Sequence, residues 1–368
     1  MQLRRIMPSI GHGAFYIEVF ENKSFVAVYD CGSDNKKELA QAIEKLDVDK
    51  IDVLFISHFD DDHVNGISKL CEQCKISYVI LPDLYDSALL YLTEAIVKES
   101  SMDVLQLIIN PEEFFHSRGN EETEIVFVLP YGQEMRDVEH RVSQIHSGSD
   151  AMGVVATNDV CLKWKYVLHN SGFSAYGSMI KIEIENMLRN NFGQTAIDFQ
   201  WIIKNMDRLR KPLKQIFVKY GGGHKGDKSL SNQNSLVVYS SPCMDCFSYA
   251  TYNYLHKELR VYHKPGFLYC GDYNMLDSTL YQEFKNTIGD YEQQCGGVQI
   301  PHHGSNNNYN TDLIDEQRFG LVSVGTRGKH GGKFPHADVA DDVLKKSVLC
   351  QITNQSWTYL IQDLLIKF

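Results

Sequence analysis

The sequence predicts a layered α/β sandwich. Short apolar runs rich in β-formers alternate with segments of helical spacing, the pattern of sheets covered by helices. Four of those runs end in a polar, metal-capable residue close to a glycine: at Asp30-Cys31-Gly32, in residues 58–66, at Gly271-Asp272 and at His302-His303-Gly304. Of these ends, residues 54–66 (LFISHFDDDHVNG) are the densest, with His58, Asp60, Asp61, Asp62 and His63 inside six positions. An α/β enzyme places ligands in this way, at the carboxyl edge of its sheet.

Taken in order, residues 14–20 and 25–29 read as strands separated by Glu21-Asn22-Lys23, and the second runs into Asp30. Residues 37–45 have helical spacing, with Leu39, Ala42, Ile43 and Leu46 on one face. Residues 53–56 form the strand before the cluster, 64–74 a helix, and 78–81 a strand that Pro82 ends. Further on, 88–98 is expected as helix, 104–109 and 125–129 as strands, and 132–157 as loop or lid. Residues 162–168 read as a strand, and 182–189 and 196–213 as helices. From 230 the alternation resumes with strands at 235–239, 266–270, 298–301 and 321–324, helices at 276–284 and 340–346, and two closing strand-like runs. The expectation is a single domain over 1–368, with 85–230 as an insertion or lid region within it.

The chain's 368 residues, 43% hydrophobic and 23% charged, suit a soluble protein with a sizeable core. Its apolar runs are far shorter than the ~20 residues that span a bilayer, so no membrane contact is expected. Residues 1–13 lack the apolar stretch of a secretory signal. Nine cysteines without framework spacing point to reduced thiols and a cytoplasmic location. A net charge of −11 argues against holding long DNA by a general basic field. A phosphate substrate stays compatible, because metal ions bring their own positive charge.

Divalent metals that act on phosphoesters take nitrogen and carboxylate ligands and keep an open position. His58 with Asp60 can face one ion and Asp62 with His63 a neighbouring one, about 3.5–4 Å away. Asp272, from a distant strand end, is the natural bridge, and His302 or His303 offers a further imidazole.

These residues resemble the motifs of the metallo-β-lactamase superfamily. His58-x-Asp60-x-Asp62-His63 looks like its second motif, with aspartate in place of the usual middle histidine. Asp30 matches the first motif, Asp272 the bridging aspartate, and Pro301-His302-His303-Gly304-Ser305 the last ligand loop. Together with Asn234-Ser235-Leu236-Val237 and Gly271-Asp272, the set is similar to the metallo-β-lactamase-like domain of the ComEC group of competence DNA channels and its soluble relatives. His336, in Pro335-His336-Ala337-Asp338-Val339, sits where that group carries a late histidine. The resemblance covers about residues 10–82 and 230–360.

The resemblance implies a four-layer αββα sandwich, the metallo-β-lactamase fold, and two divalent ions, manganese or zinc, with magnesium open. It puts His58 and Asp60 on one metal and Asp62 and His63 on the other. Asp272 would bridge, and His303 would complete the second metal. His302 would contact substrate or leaving oxygen, Asp30 would orient a ligand histidine, and Asn234 and Ser305 would support the ligands. Two departures bear on this. The histidine that a middle strand supplies to the first metal is not evident, since His146, His169 and His224 lie in unsuitable contexts and Asn234 occupies that region. Oxygen ligands in place of imidazole shift preference from zinc toward manganese or magnesium. The group's best-known member is joined to a membrane channel and this chain has none, so DNA uptake does not transfer.

The function expected is a metal-dependent hydrolase, a phosphodiesterase or nuclease acting through a binuclear metal-bound hydroxide. Asp62 and Asp272 would position that hydroxide, and His302 or His336 would assist the leaving oxygen. The partner expected is nucleic acid or another phosphodiester substrate. A hydrolase of a small phosphoester or lactone is one alternative. A metal-free regulatory or scaffold subunit of a larger complex is another, with 85–230 open to a protein partner. Three further features have a plain and a functional reading. Gly221 to Lys228 suits a mobile linker or a phosphate-gripping flap. The lysine-rich residues 204–219 suit a solvated helix face or a basic patch for nucleic acid. Cys71/Cys74 and Cys243/Cys246 suit ordinary burial or a structural zinc.

Overall fold

Strands buried on both faces need near-continuous apolar sequence, and the first third of the chain supplies it. A computed structural model describes residues 1–136, 143–155, 160, 163–173, 175–221, 229–254, 257–262, 264–326 and 330–368. Strands β1 (Gln2–Met7), β2 (Gly13–Phe20) and β3 (Val26–Ser33) form an antiparallel meander. β4 (Lys50–Phe55), β5 (Lys75–Pro82), β6 (Glu124–Leu129) and β7 (Ser143–His146) then add in parallel. The crossovers between them carry helices α1 (Lys36–Glu44), α2 (Asp61–Val64), α3 (Ile67–Gln73), α4 (Ala88–Lys98), α5 (Met102–Ile109) and α6 (Pro111–His116).

After α7 (Met152–Val155), β8 (Trp164–His169) opens the second sheet. Helices α8 (Ala175–Phe192), α9 (Phe199–Lys204), α10 (Met206–Gly221) and α11 (Leu230–Gln233) follow, then β9 (Val237–Pro242) and a hairpin of β10 (Phe247–Tyr254) and β11 (Lys257–Tyr262). The chain closes with β12 (Gly266–Tyr269), α12 (Ser278–Ile288), β13 (Cys295–Gln299), β14 (Phe319–Ser323), α13 (Ala337–Lys346), β15 (Leu349–Ile352) and β16 (Leu360–Lys367). One sheet has the order β11-β10-β16-β1-β2-β3-β4-β5-β6-β7 and the other β15-β14-β13-β12-β9-β8.

Side-chain alternation divides each strand between two cores. On β2, Ala14 and Tyr16 join the cluster between the sheets with Phe55, Trp164, Tyr166, Phe267 and Tyr269. Phe15 and Ile17 point the other way, into the cluster that α1, α3, α4, α5, α8 and α10 cover. A third cluster packs α12 and α13 on the far face of the smaller sheet. The result is the expected four-layer αββα sandwich.

Residues 85–230 are woven into this frame, since they supply β6 and β7 to one sheet and β8 to the other. Residues 104–109, expected as a strand, are helical. Ser101 caps α5 by accepting from the Val104 amide, and Val104, Leu105, Leu107 and Ile108 are buried. A short apolar run does not distinguish strand from helix, and here the cap decides. The helix expected over 196–213 breaks at Asn205, which ends α9. Residues 222–228 of the glycine-rich segment lie outside the described residues. The lysine-rich face keeps Lys204, Lys211 and Lys214 exposed, while Lys219 pairs with Glu183. Cys71 and Cys74 are buried in the helix-covered core, and no cysteine joins a group with metal-holding geometry among the described residues. No described helix is long and apolar enough to cross a membrane.

Candidate metal centre

The strand ends singled out above meet at one edge of the sandwich. β3 carries Asp30 in its last half, and the turn after β4 carries Ser57 and His58 into α2, which presents Asp62 and His63. From the second sheet, β12 leads to Asp272 and β13 to His302 and His303. Close approach makes this possible at Gly32, where a Cβ would overlap the backbone of Asp62 and His63. Asp30, His302 and His303 hold left-handed φ values of 56°, 48° and 54°. Such values are uncommon for residues other than glycine and gather at functional sites.

The imidazoles are anchored through Nδ1. His63 Nδ1 donates to Asp30 Oδ2 at 2.8 Å, and Asp30 also accepts from the Ser57 amide and hydroxyl, each at 2.7 Å. With its proton committed to Asp30, Ser57 Oγ can accept from His58 Nδ1 at 2.9 Å. His303 Nδ1 donates to the Ser323 carbonyl at 2.8 Å. Each bond turns Nε2 toward the site, where the neutral ring would present a lone pair to a metal.

Those lone pairs converge on carboxylates. His63 Nε2 lies 3.3 Å from Asp272 Oδ1, and His58 Nε2 lies 3.8 Å from Asp272 Oδ2. His303 Nε2 is 3.1 Å from Asp62 Oδ2 and 3.9 Å from Asp272 Oδ1. His58 Nε2, His63 Nε2 and Asp272 Oδ1 are buried without a hydrogen-bond partner. Unpaired buried polar atoms are costly, and three facing one another fit a cation. The protein's charges ask for one as well. Burial opposes the charged form of His63, yet Asp272 and Asp62 raise its pKa well above the usual histidine value. Burial likewise opposes ionisation of Asp272, but His302, His63 and His303 hold its carboxyl well below the usual range.

Residues 14–117 match the family model of the metallo-beta-lactamase superfamily. The αββα sandwich is consistent with the metallo-β-lactamase fold. The metallo-beta-lactamase fold protein YhfI from Bacillus subtilis is 10% identical over 97% of this chain and 98% of its own, with a TM-score of 0.39. A diphosphatase from the PhnP family is 7% identical over 100% of this chain and 99% of its own, at 0.37. Human tRNase Z, short form, is 11% identical over 46% of this chain and 59% of its own, at 0.25. No curated protein sequence matches the chain.

Around this site, the expected residues take different places. Asp60 turns its carboxylate to Lys98, whose Nζ lies 2.7 and 2.8 Å from its two oxygens, while His58 Nε2 is 3.9 Å away. His302 stands at the mouth, a quarter exposed, with Nδ1 2.9 Å from Asn308 Oδ1 and Nε2 3.6 Å from Asp272 Oδ2. His336 caps α13, accepting from the Asp338 amide, and is half exposed; its own amide donates to the Gly304 carbonyl of the ligand loop. Asn234 donates to the Tyr91 hydroxyl, and it is the neighbouring Ser235 whose hydroxyl meets His58 Nδ1 at 3.4 Å and accepts from the Asp272 amide. Ser305 accepts from the Asn307 amide, shaping the loop.

Sequence reasoning missed His12. Its Nε2 lies 3.6 Å from Asp62 Oδ2, and its ring centroid is 3.8 Å from that of His303. Burial first, then His303, push its pKa down to about 2, so the ring is neutral. The motif search followed strand ends, whereas His12 precedes a strand. β2 runs antiparallel to β3, with Gly13 opposite Ser33, so the start of β2 reaches the same edge. The pair of glycines flanking His12 was the available signal.

Proposed function

We propose that the chain is a metal-dependent hydrolase that cleaves a phosphodiester, with nucleic acid the first substrate class. The observation that carries this reading is the trio of buried, unpartnered atoms on His58, His63 and Asp272. These residues would hold one divalent ion, and Asp62 with His303 would contribute to a second. Bound ions supply Lewis acidity and positive charge to an anionic substrate. Asp62 and Asp272 accept hydrogens from the attacking water and orient it. His302, steadied by Asn308 at the mouth, delivers a proton to the leaving oxygen.

The test joins elemental analysis to cleavage of single- and double-stranded DNA and RNA in Mn²⁺ and Zn²⁺. Asp62→Ala is expected to abolish cleavage, and equal activity in variant and parent sinks the proposal. Turnover of bis-p-nitrophenyl phosphate or a lactone without nucleic-acid cleavage moves the substrate to a small ester. A parent that binds no metal returns the chain to a scaffold role.

A further inference from the structure

We propose that His12 is a metal-ligating residue that completes, with Asp62 and His303, a second cation nest beside that of His58, His63 and Asp272. The inference rests on the reading of this edge as a metal centre and deepens it.

The three residues offer donor atoms within 4.8 Å of one another. His12 is 5% exposed, and its Nδ1 is buried without a hydrogen-bond partner. Its Nε2, 3.6 Å from Asp62 Oδ2, stands beyond hydrogen-bond range. A buried imidazole nitrogen left without a partner is costly if the ring's role is only to fill space. His303 shows the complementary feature. Its Nδ1 donates to the Ser323 carbonyl, and its Nε2 lies 3.1 Å from Asp62 Oδ2. A proton on Nε2 joins the two without metal, and a shared cation would take that proton's place.

The ring is also held in place. Gly11 and Gly13 flank it with φ of 84° and 151°, and a Cβ at Gly13 would overlap the backbone of Gly32 and Ser33. His330 stacks on its outer side at 4.4 Å and 10°, and Phe334 lies 5.6 Å away. A second trio, His12 with Asp34 and His330, continues outward. Asp34 is exposed and His330 half-buried, whereas only Asp62 of the inner trio is half-buried, so the inner trio is the more enclosed of the two.

His12 also alters the donor balance. The aspartate of residue 60 suggested an oxygen-rich site suited to manganese or magnesium. With Asp60 turned to Lys98 and His12 drawn in, the two nests present four imidazoles, from His12, His58, His63 and His303, and two carboxylates, from Asp62 and Asp272. That set suits zinc.

The experiment strips the full chain with chelator and titrates Zn²⁺ into the parent, His12→Gln and His58→Ala, counting ions and measuring affinity for each. The parent should bind two ions. His12→Gln should keep the ion of the His58 nest and weaken the other at least tenfold, with unchanged circular dichroism without metal. Two ions of parental affinity in His12→Gln overturn the inference while leaving the metal centre intact. One ion in the parent, bound equally by His12→Gln and lost in His58→Ala, also overturns it. A parent that binds none overturns both readings. If His12→Gln does not fold, histidine side-chain NMR of the parent decides. A Zn²⁺-dependent shift of the His12 Nε2 resonance supports ligation, and an unmoved resonance removes it.

Discussion

Lys98 Nζ lies 2.7 and 2.8 Å from the two carboxylate oxygens of Asp60. The ammonium is further held by Ser229 and Ser231, each at 3.0 Å, and by Glu94 at 3.3 Å. Burial opposes ionisation of Asp60, but Lys98 and His58 together hold its carboxyl pKa below the usual value. Lys98→Met should therefore leave two carboxylates facing each other without their cation. Breaking a fully buried pair costs about 3–5 kcal/mol, and a third of this lysine is exposed, so about 2 kcal/mol is expected. Denaturant unfolding measures the loss. Lys98→Met combined with Asp60→Asn should cost less than the sum of the two single changes, because they share one interaction.

Asp30 makes no direct approach to the unpartnered atoms, yet it fixes two of the histidines that carry them. It accepts from His63 Nδ1 and through Ser57 steadies His58. Asp30→Asn keeps the shape but replaces an acceptor oxygen with a donor against two donors. Metal affinity should fall roughly 10- to 100-fold, the usual effect of losing a ligand's supporting partner. Calorimetric titration with Zn²⁺ checks it, and parental affinity in the variant rejects the role.

His169 gives the fold a pH dependence separate from the metal centre. It is fully buried at the end of β8, with Nε2 2.9 Å from the Tyr273 hydroxyl, and burial pushes its pKa down to about 3. In the unfolded chain the ring takes up a proton near pH 6.5. Between pH 6.5 and about 3 the unfolded state therefore binds more protons, and stability falls as pH falls. One such proton contributes a slope of up to ~1.4 kcal/mol per pH unit. Unfolding free energies across that window should show a shallower slope in His169→Gln than in the parent. Identical slopes would mean that the ring is already charged in the fold.

What the sequence made legible was the edge formed by parallel strands. Each of β4, β12 and β13 runs from apolar core to a polar, glycine-flanked end, so His58, Asp272 and His303 announced themselves. His12 did not, because an antiparallel strand brings its beginning, rather than its end, to the same edge. Residue identity also could not show that Asp60 faces a lysine 38 positions away. Residues 104–109 misled for a local reason, since five apolar side chains among six residues satisfy either period until Ser101 is seen as a cap.

Glu18 went unremarked in the sequence because a lone acid on a strand normally faces water. Here it is 2% exposed and joins the two sheets. Arg5 Nε donates to it at 2.6 Å from β1, Tyr166 at 2.7 Å from β8, Ser240 at 2.7 Å from β9, and Tyr269 at 3.1 Å from β12. Four donors around one carboxylate, with a guanidinium among them, make ionised Glu18 tolerable between apolar layers. Glu18→Gln removes the charge while Arg5, wholly buried, keeps its own. An uncompensated buried cation should cost about 3–5 kcal/mol, more than the change at the partly exposed Lys98. Replacing both residues, as Arg5→Met with Glu18→Leu, removes both charges and should recover part of that loss. Thermal unfolding of the single and double variants tests this, and a double variant less stable than Glu18→Gln would show that the pair itself, beyond the neutrality it secures, holds the sheets together.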